Sequence, residues 1–197
     1  ELKDKETILL HGEEKQLTLE QTLFSELVTM IKNQSETIQT IAHQLAELDC
    51  LQSLATIAQQ YNYCRPTLTD NQHQCELIEA RHPVLEKQQS QQVVPNSVEL
   101  TPDNFMLLIT GPNMAGKSTV MKQVALITIM AQMGSFVPAT SATIGWVDRC
   151  FTRIGAADNL AQGQSTFMVE MTETATILHN ATERSLILLD EIGRGTS

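Results

Sequence analysis

Eight consecutive residues, Gly111-Pro112-Asn113-Met114-Ala115-Gly116-Lys117-Ser118, fit the pattern G-x-x-x-x-G-K-[ST]. The chemistry of that pattern is phosphate binding. Glycines let the backbone curl around phosphate oxygens with no Cβ in the way. The loop amides and the N-terminus of the helix that follows then face negative charge. In this frame Lys117 reaches the β- and γ-phosphates, and the Ser118 hydroxyl binds Mg²⁺. A second acidic motif follows an apolar run: Leu186-Ile187-Leu188-Leu189 ends in Asp190-Glu191. A carboxylate at the end of such a strand holds Mg²⁺ through water, which suits Asp190. Glu191 is placed to act as general base on an attacking water. Each motif alone has a bland explanation, a glycine turn or a solvated strand end. Together they point to a nucleoside triphosphate as ligand, Mg²⁺ as cofactor and hydrolysis as the reaction, with Lys117, Ser118, Asp190 and Glu191 carrying it.

Those residues need elements to hold them. Phe105-Met106-Leu107-Leu108-Ile109-Thr110 is a short apolar run with the look of a buried parallel strand entering the loop. An apolar helix is predicted from about Lys117 to Met133, with Gly134 as a left-handed stop. Cys150 to Ile154 reads as a strand. Val169 to His179 reads as a helix with Met171, Ala175 and Leu178 on one face, and Leu186 to Leu189 as a second buried strand. Strand, loop, helix and strand in this order give an α/β fold built around a P-loop.

Upstream, residues 17–61 contain neither Gly nor Pro, and Phe24, Leu27, Ile31, Ile38, Ile41, Leu45 and Leu48 form a heptad seam interrupted by Gln34. A helix of ~40 residues would be ~60 Å long, an arm in one piece or two. Pro66 is expected to end it, and residues 67–104 read as short strands and loops, with Gln88-Gln89-Ser90-Gln91-Gln92 exposed. The expected division is a helical arm over 1–63 and the ATPase domain, stopping after the Asp190 strand, over 64–197.

Composition limits the partners. With 13 basic against 23 acidic residues the net charge is -10, whereas a segment that grips nucleic acid on its own usually carries a basic patch, so any role with DNA is expected to be indirect or to lie in other parts of a longer protein. The charged start lacks an apolar signal region. The apolar stretch Val124 to Met133 is interrupted by Thr128 and Gln132 and is too short to span a bilayer. The polar start and the end directly after an apolar run read as the ends of a piece of a longer protein. Cys50, Cys64, Cys75 and Cys150 show no metal or redox spacing and read as idle thiols. His82 reads as a packed loop residue, Trp146 as half-buried, and Glu170 and Glu173 as a solvated helix face. Arg153 and Arg184 receive no role.

The strings TGPNMAGKST (110–119), FTRIGAADNLAQGQSTFMVEMTETATILHNAT (151–182) and LLDEIGRGTS (188–197) resemble the ATPase domain of the MutS family of mismatch-repair proteins. EARHPVLE (79–86) is similar to the strand entering that domain, and LAELDCLQSLATIAQQYNYCRP (45–66) to the family's long lever helices. The resemblance covers essentially the whole chain. Met114 and the Gly193-Arg194-Gly195-Thr196 string set it apart from transporter-type ATPases. The resemblance implies that the nucleotide is ATP, that Gly111 to Thr119 line it, Thr119 included, and that Asn113 contacts its phosphates. It implies that Ser165-Thr166-Phe167 faces the nucleotide of a second subunit, with Ser165 acting in trans within a homodimer. It also implies a bacterial, cytoplasmic, nucleoid-associated protein with no membrane contact. Mismatched double-stranded DNA would be bound through other domains, and a downstream factor of the MutL type recruited. The 197 residues alone would turn over little ATP. Val93 stands where the family often has an aromatic residue stacking on adenine. The alternative is an ABC- or SMC-type ATPase with the seam as its coiled coil. Ser165-Thr166-Phe167 speaks against it, since that class has Ser-Gly-Gly, and intact Lys117 and Glu191 speak against a degenerate scaffold.

Overall fold

A computed structural model describes residues 2–88, 93–112, 114–154 and 166–190. The chain divides into two compact units, Glu1–Ser53 and Leu54–Ser197.

The first unit is helical. Helix α1 runs Leu2–Asn33 and α2 runs Ser35–Gln60, so the last turns of α2 belong with the second unit. The expected arm is in two pieces, and the break falls on Gln34, the polar interruption of the seam. There the ladder tightens, with Gln34 N donating to Ile31 O at 3.0 Å, before Ile38 N resumes on Gln34 O. The seam residues Phe24, Leu27, Ile31, Ile38, Ile41, Leu45 and Leu48 are all exposed. Thr18, Thr22, Thr29 and Thr40 donate their hydroxyls to carbonyls one turn back, as solvent-facing threonines in helices do. No helix among the described residues is long and apolar enough to cross a membrane.

The stop of α2 comes before Pro66 and has its own chemistry. Asn62 takes a left-handed φ of 53°, and Tyr63 N reaches back to Ala58 O at 2.9 Å. This six-to-one bond closes a Schellman motif, for which Asn is the usual substitute for Gly.

In the second unit a four-stranded sheet has the order β1-β4-β2-β3, from β1 (Thr67–Thr69), β2 (Cys75–Ala80), β3 (Asn96–Leu100) and β4 (Ser141–Gly145). β1 runs parallel to β4, and β2 is antiparallel to both of its neighbours. Cys75, Leu77 and Ala80 of β2 point to the buried face, where Val98, Ala142 and Ile144 join them. A four-residue helix, α3 (Leu85–Gln88), follows β2. Helix α4 (Lys117–Gln132) covers the core with Val124, Ile127 and Ala131. Leu77, Ile127 and Ile144 are fully buried, and each such side chain stabilises by about 1.5–3 kcal/mol. Gly134 ends α4 as expected. It has φ +89°, its N donates to Ala131 O at 3.1 Å, and Ser135 N reaches Met130 O at 3.0 Å.

Gly145, at the end of β4, is required by a close approach. A Cβ there would lie 2.4 Å from the Asn71 carbonyl oxygen, while Gly145 N donates to Gln74 O at 2.7 Å. Gly145→Ala is expected to destabilise this unit by about 1–3 kcal/mol, the usual cost of forced overpacking. Thermal unfolding measures it, and an unchanged midpoint would mean that the Asn71–Gln74 turn gives way freely.

A separate two-stranded sheet pairs β5 (Cys150–Arg153) in parallel with β6 (Leu186–Leu189), and helix α5 (Thr166–Asn180) lies between them in sequence.

Three expectations need correction. Phe105–Thr110 is not a strand: it pairs with nothing in either sheet, and Phe105 is 64% and Leu108 83% exposed. A run of apolar residues is buried as a strand only when neighbouring backbones take up its N–H and C=O groups. No described strand does so here. Second, α5 buries Glu170 (3% exposed) and Ile177, while Ala175 and Leu178 face outward. The inward stripe starts at Phe167 and continues through Glu170, Thr174 and Ile177, one position earlier than the expected face, so Glu170 is not solvated. Third, β6 is only half-covered. Leu188 is buried, but Ile187 and Leu189 are exposed.

Candidate nucleotide site

The loop before α4 enters the helix through Gly116, whose left-handed φ of +89° is open to glycine at no steric cost. Gly116 offers no side-chain cap and α4 has no acidic residue in its first turn. No carboxylate of the helix itself therefore competes for its first amides. Ala115 N donates to Pro112 O at 3.3 Å, and Val120 N to Gly116 O at 3.0 Å. Met114 holds a positive φ of 64° with its side chain fully exposed. A non-glycine residue there is uncommon and marks a backbone shaped by something other than its own preference.

Lys117, the first residue of α4, folds back over the loop. Its Nζ donates to Gly111 O at 2.8 Å and to Pro112 O at 2.9 Å. Next to it, the Ser118 hydroxyl donates to Asp190 Oδ2. Asp190 is itself anchored, since its N donates to Arg153 O at 2.7 Å across the ends of β6 and β5. The two motifs read from the sequence thus meet through Ser118 and Asp190. Gly111, Pro112, Ala115, Gly116 and Thr119 lie on the loop and the first turn. Asn113, Ser165 and Glu191 lie outside the described residues.

The donor set at this point is a hydroxyl and a carboxylate. That suits Mg²⁺, a hard ion that takes one or two protein oxygens and keeps several waters. Among the described residues no cluster of three His, Cys, Asp or Glu offers a competing metal site. All four cysteines are free. Burial raises the thiols of Cys64 and Cys150, and pushes Cys75 up to about 11. None of these three is an activated nucleophile.

Arg153 is no free cation: its Nε lies 2.9 Å from Glu173 Oε2, tying β5 to α5. His82 is buried, and its Nδ1 accepts from the amides of Val84 and Leu85, each at 3.3 Å, capping α3. Burial holds its pKa below the ordinary 6.5, with nearby Lys122 acting in the same direction. Folding therefore favours the neutral ring. Below about pH 6.5 the unfolded chain binds a proton that the folded chain resists, so stability falls as pH falls. Denaturant melts between pH 7 and 5 are expected to show this slope, and His82→Gln to reduce it. An identical slope in the variant would assign the effect to other groups.

Residues 107–197 match the family model described as MutS domain V. Over its whole length the chain is 55% identical to the DNA mismatch repair protein MutS of Staphylococcus saprophyticus. It is 54% identical to the protein of that name from Syntrophobacter fumaroxidans. The chain belongs to the MutS family. It spans 22% of the length of each of these two MutS relatives.

Within this MutS segment, two polar contacts escaped the sequence reading. One is the lysine's grip on its own loop carbonyls, which no residue type signals. The other is a set of polar side chains, buried Tyr63 and Gln123 with half-buried Arg81 and Glu86. Gln123 could have been noticed as a glutamine on the apolar face of α4.

Proposed function

We propose that this chain is the ATP-hydrolysing part, with its helical arm, of a MutS-type mismatch-repair protein. Residues 64–197 act as an ABC-type P-loop ATPase domain and 1–63 as the lever. The observation that carries the reading is the meeting of Ser118 and Asp190 beside Lys117 at the head of α4. The names of the two MutS relatives support the same biology. Gly111 to Thr119 enclose the triphosphate, with Asn113 and the loop amides on its oxygens and Lys117 on the β- and γ-phosphates. Mg²⁺ held by Ser118 and Asp190 neutralises charge on the transferred phosphoryl group. Glu191 takes the proton of the attacking water. Ser165 of a second subunit completes the site, so the working form is a homodimer. In the intact protein, mismatched DNA is bound by other domains. ATP converts the dimer to a sliding clamp, and a MutL-type factor is recruited.

Titration of the intact protein with ADP, with and without Mg²⁺, tests the site. Mg²⁺ is expected to tighten binding in the wild type and to do so far less in Asp190→Asn. Equal affinity under both conditions in the wild type would overturn the assignment. Fluorescence anisotropy tests the biology: the intact protein should prefer a mismatched over a matched duplex, with ATP changing the complex.

A further inference from the structure

The strand that ends in Asp190 has little sheet to stand on. Among the described residues β6 pairs only with β5, from Cys150 opposite Leu186 to Arg153 opposite Leu189. Two strands alone are marginal in water, and parallel pairing is the weaker kind. Support must come from outside the pair. Leu186, at the start of β6, packs against the main core, and helix α5 holds β5 at both of its ends. At the N-terminal end of β5, Arg149 Nη1 donates to the carbonyl of Asn180, the last residue of α5, at 2.9 Å. That places a cation on the negative end of the helix. Beside it the Asp148 carboxylate accepts the hydroxyls of Thr182 at 2.7 Å and Ser185 at 3.0 Å. At the C-terminal end of β5, Arg153 Nε lies 2.9 Å from Glu173 Oε2.

The spacings agree. Glu173 and Asn180 are two helical turns apart, about 10 Å, and Arg149 and Arg153 are about 13 Å apart along a strand. A helix running antiparallel to β5 therefore satisfies both contacts at once. The second contact bears on the nucleotide site. Asp190 lies one residue past the last strand pair, and its N donates to Arg153 O at 2.7 Å. The residue that carries the Asp190 backbone is thus the one whose side chain is tied to α5. The Arg153 side chain is 12% exposed and that of Glu173 49%. A guanidinium so far out of water is costly without its carboxylate. Loss of Glu173 would push Arg153 toward solvent, and the end of β5 with it.

We propose that Arg153 and Glu173 are positioning residues for Asp190: their ion pair fixes the end of β5, and so the carbonyl on which the Asp190 amide hangs. The proposal rests on the nucleotide reading, in which Asp190 and Ser118 hold Mg²⁺. That ion demands near-ideal octahedral geometry. A small displacement of Asp190 therefore weakens the Mg²⁺-dependent part of nucleotide binding before it weakens the rest.

Titration of the intact protein with ADP, with and without Mg²⁺, gives the enhancement by Mg²⁺ as a ratio of affinities, and a thermal melt gives stability. Glu173→Gln and Arg153→Met are each expected to reduce that ratio about tenfold, the low end for outer partners of a metal site. Arg153→Gln serves if the methionine variant does not fold. The sign separates positioning from a field effect. Through the field alone, removing an anion weakens Mg²⁺ and removing a cation strengthens it, so the two variants would move the ratio in opposite directions. Arg149→Met loosens the other end of β5, and should lower the melting temperature with the ratio unchanged. Opposite shifts in the two variants, an undiminished ratio in either, or an equal loss in Arg149→Met would overturn the positioning role. A wild type whose ADP affinity is indifferent to Mg²⁺ would instead overturn the nucleotide reading, and the positioning role with it.

Discussion

Lys117→Ala is expected to weaken ATP binding by roughly 100-fold. In the structure the Lys117 ammonium makes two charge-assisted bonds, to the carbonyls of Gly111 and Pro112. The β- and γ-phosphates would take the place of those carbonyls. A hydrogen bond to a charged group contributes about 1.5–3 kcal/mol, and each ~1.4 kcal/mol is a tenfold change in affinity. Two bonds at the low end give ~3 kcal/mol, hence the ~100-fold. The low end is the right choice because the lysine first gives up its carbonyl partners, a cost that alanine does not bear. Lys117 opens α4 and is only partly buried, so its truncation should shift stability by no more than ~0.5 kcal/mol. Equilibrium binding of a fluorescent ATP analogue, alongside a thermal melt, separates the two effects. Wild-type affinity in a folded variant would remove the loop from the reading.

The meeting of the two motifs was legible because residue type and spacing put Gly116, Lys117 and Ser118 at a helix start and Asp190 at a strand end. The structure brings Ser118 and Asp190 into contact. Gly134 ended α4 where a glycine after an apolar periodic run should. Pairing was less legible. Phe105 to Ile109 has a strand's composition but no described partner. Conversely Ser141-Ala142-Thr143-Ile144-Gly145, with little apolar content, is a strand because β1 and β2 flank it. Composition reports what a segment would bury, and not which neighbours supply its ladder.

Helix faces show the same limit at finer scale. Reading α5 from Val169 placed Met171, Ala175 and Leu178 inward; the helix begins at Thr166 and turns Glu170 and Ile177 inward instead. Charge is a poor guide to exposure when a long side chain can find a partner, and Arg153 with Glu173 shows that side-chain ion pairs form around the same helix. In α1 and α2 the opposite holds. The seam was read directly from spacing, and its one polar position, Gln34, is where the helix breaks. The Schellman stop at Asn62 was hidden behind the more conspicuous Pro66, since asparagine in a left-handed turn is a weaker signal than proline.

The largest expected effect on turnover comes from Glu191→Gln. Asp190 is fixed between the Ser118 hydroxyl and the Arg153 carbonyl, and Glu191 is the next residue in the chain. In hydrolysis the oxygen of the attacking water bonds to the γ-phosphorus as the bond from that phosphorus to the bridging oxygen of ADP breaks. The water gives up a proton, which in the proposed function passes to the Glu191 carboxylate. Glutamine keeps the length and much of the hydrogen-bonding shape of glutamate but does not accept that proton. A positioned general base contributes typically ~10²–10⁴-fold, so single-turnover hydrolysis in the intact protein should slow by that range. Binding should change little, because Lys117, Ser118 and Asp190 are untouched. Asp190→Asn provides the contrast, since it should act on the Mg²⁺-dependent part of binding before it acts on the chemical step. An unchanged single-turnover rate in Glu191→Gln would mean that another group takes the proton, and would leave Asp190 and the phosphate loop as binding residues without an assigned base.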